Sequence, residues 1–140
     1  MQKTKLIQYL KTFQTKELTQ FGKFLNSPYY NNSDDLIRLF KILKRYHPKF
    51  DSAGVQREKV FKKVFPKQPF NNKKILDLMS DLSLLIERFW VTQKVQNEVL
   101  FYEKERVKAI AQRNLSLNLQ HQQLTKQIEK LEKIRVKSVD

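Results

Sequence analysis

The chain has 140 residues, a formal net charge of +14, 40% apolar and 30% charged residues, and no cysteine. Disulfides, thiolate zinc sites and cysteine nucleophiles are excluded, and the length suits one domain that buries a core without staples. Ten Phe and five Tyr spread along the chain argue against disorder, and no apolar run nears the length of a membrane span, so a cytoplasmic protein without integral membrane insertion is the default.

With two glycines and no strand-length alternation of apolar and polar residues, the periodicity is helical and the fold class is all-α, a multi-helix bundle with a long C-terminal helical hairpin. Leu6, Leu10 and Phe13 mark a first short helix. Thr15 is placed to cap a second, which carries Leu18, Phe21 and Leu25 and stops at Pro28. Ser33 caps a third, with Asp34 and Asp35 at its positive end and Leu36, Leu39, Phe40 and Leu43 facing inward until Pro48 closes it. A fourth runs through Val60, Phe61 and Val64 to Pro66.

The fifth helix is the central one. Ile75, Leu78, Met79, Leu82, Leu85, Ile86 and Phe89 keep three-four spacing and share a face, which Leu76 and Trp90 widen to about half the circumference. Val95, Val99, Tyr102 and Ile110 carry the helix onward in a more polar register, and a break near Asn114 to Ser116 folds the chain into an antiparallel hairpin. The expected domains are a bundle over residues 1–92 and a helical extension or hairpin over 93–140 packing on it.

Two corners echo each other. Pro28-Tyr29-Tyr30-Asn31-Asn32 and Pro69-Phe70-Asn71-Asn72 each lead into a new apolar run. Capping by Asn71 sets Phe70 and Ile75 at the spacing of a hydrophobic staple. At the first corner Tyr29 and Tyr30 either plug the core under the turn or line a binding pocket.

Catalytic signals are weak. Asp77 and Asp81 sit four apart, but they share a face with Lys73, Lys74 and Arg88 away from the apolar stripe, as ordinary solvated pairs do. His47 and His121 stand in no metal or nucleophile spacing, and Gly22 and Gly54 in no phosphate loop. No cofactor or metal is expected, and the function read is a non-enzymatic protein-protein interaction module or a self-associating one. Its contact residues are Leu117, Leu124, Ile128 and Leu131, at coiled-coil spacing in the last helix, with Tyr29 and Tyr30.

The alternative is nucleic-acid binding. Ten basic residues face three acidic ones in the first fifty positions. Lys41, Lys44 and Arg45, then Lys59, Lys62 and Lys63, then Lys104, Arg106 and Lys108 form groups that suit a polyanion if they converge. A helix-turn-helix is disfavoured, because its recognition helix would be the apolar fifth. A basic first helix lying on anionic lipid ranks last.

Over residues 21–90, Phe-Gly-Lys-Phe-Leu-Asn-Ser-Pro-Tyr-Tyr-Asn-Asn, Leu-Phe-Lys-Ile-Leu, Glu-Lys-Val-Phe-Lys-Lys-Val-Phe-Pro and Leu-Met-Ser-Asp-Leu resemble the N-terminal region of uncharacterised long α-helical bacterial proteins. That resemblance implies further helices like tetratricopeptide arrays, of which residues 91–140 would be the opening, and implies no chemistry. Leu6-Ile-Gln-Tyr-Leu10 with Phe21-Gly-Lys-Phe-Leu25 is also similar to the opening of pyrin-type adaptors of the death-domain superfamily, which implies helix-mediated assembly.

Overall fold

The computed structural model describes residue 1, residues 3–113 and residues 117–139. Among them are six α-helices and no strand: α1 Lys5–Lys11, α2 Thr15–Asn26, α3 Asp34–Lys44, α4 Arg57–Val64, α5 Asn72–Ala111 and α6 Leu117–Val139. The chain divides into two compact units, Met1–Phe89 and Trp90–Asp140. The break expected at Asn114 to Ser116 lies outside the described residues.

Local chemistry sets the helix ends of the first unit. Thr4 caps α1, accepting from Ile7 N at 3.5 Å, and Ser33 caps α3, accepting from Leu36 N at 3.4 Å. Asn71 accepts from Lys74 N at 3.1 Å at the start of α5. The cap of α2 is Gln14, not Thr15. The Glu17 carboxylate reaches back to accept the Gln14 backbone N–H at 3.2 Å, so Thr15 becomes the first helical residue. Helix α1 ends at Lys11 and α3 at Lys44, earlier than Phe13 and Pro48 suggest, and Phe13 reaches the core from the connecting turn.

That core is built on phenylalanine rings. Phe21 is fully buried and meets Phe13, Phe40 and Phe89 edge-on at centroid distances of 5.8, 5.1 and 5.3 Å, with Phe24 stacked at 6.0 Å. One residue thereby touches the α1–α2 turn, α3 and α5. Each buried ring contributes about 2 kcal/mol by transfer, and edge-to-face pairs add about 0.5–1.5 kcal/mol. From the α5 stripe, Ile75, Met79, Leu82, Ile86 and Phe89 are buried, Leu78 and Leu85 are half-buried, and Leu76 is exposed. The apolar arc is wider than the surface that the shorter helices cover.

Helix α2 packs on α3 and α3 on α4. The connector between α3 and α4 holds a cis His47–Pro48 bond, and Phe50 sits fully buried at φ 52°, a left-handed conformation that a bulky residue adopts only when its surroundings hold it there. His47 Nε2 lies 2.6 Å from the Phe13 carbonyl oxygen, and its ring is edge-on to Phe50. Gly54 makes room for the Tyr46 side chain. A Cβ there would stand 2.9 Å from Tyr46 Cζ and nearer still to the Tyr46 hydroxyl.

Helix α1 is tied to α5 through Glu87, which accepts from the Tyr9 hydroxyl at 2.8 Å and lies 3.4 Å from Lys5 Nζ. The Tyr9 hydrogen bond, helped by the Lys5 charge, holds the Glu87 carboxyl below the usual carboxylate range, and the Glu87 charge lifts Lys5 above the usual lysine value.

Phe21→Ala is expected to destabilise the first unit by about 3–5 kcal/mol, read from the urea midpoint of the near-ultraviolet signal. For Glu87 the depressed pKa means a stabilising contribution present above the ordinary carboxylate pKa and lost as pH falls through the folded value. Tyr9→Phe is therefore expected to move the Glu87 carboxyl titration, followed by NMR, to higher pH.

Candidate functional site

In the second unit, α6 turns back along the C-terminal part of α5. Val107, Ile110 and Ala111 of α5 and Gln123 and Leu124 of α6 wall a cavity of about 30 Å³. Burial traces the seam. On α5 Gln96, Leu100, Glu103, Val107 and Ile110 are among the shielded positions, with Arg106 half-buried beside them, and on α6 the shielded ones are Gln123, Gln127, Leu131 and Ile134. Steps of three and four keep each set on one helix edge.

The middle of this seam is polar. Gln127 is 1% exposed and Glu103 7%, and among the described residues neither amide atom of Gln127 has a hydrogen-bond partner, nor does Glu103 Oε2. Arg106 Nη1 offers Glu103 only a distant ion pair at 3.9 Å. Apolar residues beside the seam stay in water: Leu124 is 43% and Ile128 56% exposed. The stripe read from the sequence as a contact surface thus divides. Leu131 joins the seam half-buried, Leu124 stands at its edge, bordering the cavity while 43% exposed, Ile128 faces outward, and the side chain of Leu117 lies outside the described residues. Position 127, one before Ile128, faces α5 instead, a rotation of about 100° on the helix.

A second apolar set on α5 escaped the sequence reading. Val91, Val95, Val99 and Tyr102 are all exposed, and their spacing of four, four and three places them within an arc of about 80°. The spacing was visible in the sequence, but the residues read there only as continued helicity.

The tyrosine corner resolves into two roles. Tyr30 is half-buried and stacks on Phe24 at 4.3 Å, as a plug does, whereas Tyr29 is 85% exposed and meets Tyr30 edge-on at 5.0 Å. Tyr30, Asn31, Asn32, Ser33 and Leu36 form one wall of a shallow groove of about 530 Å³, and Asp81, Leu84, Leu85 and Arg88 of α5 form the other. Tyr29 does not line it. Asn31 is consumed by the turn itself, bonding the Leu25 and Ser33 carbonyls and the Ser33 N–H.

The basic groups differ in their surroundings. Lys108 pairs with Glu105 at 3.3 Å and Arg106 with Glu103, so the α5 group is interleaved with acids; Lys104 is exposed among them. Lys41, Lys44 and Arg45 at the end of α3 and Lys59, Lys62 and Lys63 on α4 are all exposed and make no ion pair among the described residues. Asp77 and Asp81 are also exposed. Among the described residues no group of three His, Asp or Glu is placed to hold a metal, and no helix is long and apolar enough to cross a membrane. Comparison with family models, curated proteins and solved structures finds no match for the chain.

Gln127→Leu keeps the volume of the seam and removes two unpaired buried polar atoms, so it is expected to stabilise the hairpin by about 1–3 kcal/mol. Slower amide hydrogen exchange in α6 is the measurement.

Proposed function

We propose that this chain is a cytoplasmic, non-enzymatic helical module that docks another protein on the outward faces of its hairpin. One observation carries the reading: Leu124 and Ile128 stand about half exposed, one turn apart on α6, while Gln127 beside them is buried. A helix that serves only its own hairpin gains most by turning its leucine and isoleucine inward and its glutamine outward. The reverse arrangement leaves the apolar pair for an external surface, in the manner of helix-in-groove recognition with anchors three and four apart. Val91, Val95, Val99 and Tyr102 on α5 add a second strip of the same kind. Exposed apolar strips rimmed by charge mark association surfaces more often than isolated exposed residues do. Here the polar rim on α6 is supplied by His121, Thr125 and Glu132, all exposed and adjacent to the pair on the helix surface.

Leu124→Gln with Ile128→Gln tests the reading. Ile128 is exposed and Leu124 borders the cavity between α5 and α6, so helicity is expected to persist with a loss of stability of no more than about 1 kcal/mol. Self-association, measured by sedimentation equilibrium, and capture of protein partners from the source cells are expected to fall at least tenfold. A folded double variant with unaltered mass and unaltered partners overturns the proposal.

A further inference from the structure

Six exposed cations gather on two helices that pack against each other. Lys41 and Lys44 lie in the last turn of α3 with Arg45 just after it, and α4 presents Lys59, Lys62 and Lys63. On α3 the buried residues are Leu36, Leu39, Phe40 and Leu43, and on α4 they are Val60, Phe61 and Val64. At about 100° per residue, Lys41, Arg45, Lys59 and Lys62 fall opposite their helix's buried edge and Lys44 and Lys63 on its flank, so all six look away from the core. Tyr46 links them: Lys63 Nζ donates to its hydroxyl at 2.9 Å and lies 5.5 Å from its ring centre. The residue that follows the α3 cations is thereby held against the last turn of α4.

The helix dipole accounts for a share of this charge, since Lys41, Lys44, Lys62 and Lys63 all occupy last turns. It does not account for the lack of counter-charge. The carboxylates of α3, Asp34 and Asp35, sit at the opposite end of that helix, and Glu58 on α4 pairs with none of the six cations. Six like charges without carboxylate partners repel one another and gain from a polymer of negative charge.

We infer that the α3–α4 face is a docking surface for the phosphate backbone of nucleic acid. Two other anionic partners fit the face less well. No large exposed apolar side chain lies on α3 or α4, so the face lacks the wedge that holds a helix in a lipid interface. It also lacks the apolar centre with aromatic anchors around which protein interfaces are built. Apart from the half-buried Ile37, Ile42 and Tyr46, what the face offers is cationic and polar, the composition of a surface that positions on phosphates without reading bases. The α5 group is left out, because Arg106 and Lys108 already have carboxylates.

The test uses the full chain with a mixed-sequence single-stranded RNA, a DNA duplex, vesicles containing phosphatidylserine, and polyglutamate, each followed by fluorescence anisotropy or sedimentation. Both nucleic acids are expected to bind at low salt. For the single strand, log K is expected to fall against log salt with a slope near −4, six contacts at about −0.7 each. Lys41→Gln, Lys44→Gln, Lys59→Gln and Lys62→Gln together are expected to reduce the slope to about −1.4 by the same arithmetic, with the circular dichroism spectrum unchanged. Should that protein misfold, the pairs Lys41→Gln/Lys44→Gln and Lys59→Gln/Lys62→Gln carry the test separately, each lowering the slope by about 1.4. The inference is overturned if neither nucleic acid binds at low salt. It is equally overturned if vesicles or polyglutamate bind more tightly than RNA, or if Lys104→Gln/Lys108→Gln weakens binding as much as the quartet does.

Discussion

The first unit rests on one ring. Phe21 is the point at which the α1–α2 turn, α3 and α5 are all in contact with a single side chain, through Phe13, Phe40 and Phe89. Four short helices have little cooperative stability of their own, and none but α5 is long enough to persist in water without packing. Their stability comes from tertiary burial, and the phenylalanine cluster is where that burial is concentrated. The tie between α1 and α5 through Tyr9, Lys5 and Glu87 is exposed and screened, so it orients α1 more than it stabilises it.

The second unit follows a different logic. Its seam mixes Leu100, Val107, Leu131 and Ile134 with Gln96, Glu103, Gln123 and Gln127, and the most deeply buried members are the polar ones. A buried polar layer that is only partly hydrogen-bonded weakens a helix pair and also penalises shifted registers. The hairpin therefore combines a costly interior with apolar strips on its exterior.

What could be read from the sequence was what is decided within a few residues. Ser33 and Asn71 cap as expected because a side-chain oxygen and an N–H three residues on are neighbours by chain geometry alone. The α5 stripe was legible for the same reason, as a period, although Leu78 and Leu85 are only half covered. The α2 cap slipped by one, since the Glu17 carboxylate takes the Gln14 N–H and fixes that residue as the cap. The edge of α6 that meets α5 was not legible: Leu124, Ile128 and Leu131 define a periodic stripe, but which face turns inward depends on a partner helix some twenty to thirty positions away. Likewise Lys41, Lys44 and Arg45 could be named as basic, yet their proximity to α4 comes from the packing of α3 on α4 and from the Tyr46–Lys63 bond.

That bond gives the α3–α4 connector an importance that its position on the surface conceals. The Tyr46 ring stands where it does because residue 54 carries a hydrogen in place of a methyl group. Any bulkier residue at that point would push the phenol aside and release the ammonium group resting on it. The absence of one carbon atom in a connecting segment thus governs where a lysine nine residues further along the chain presents its charge.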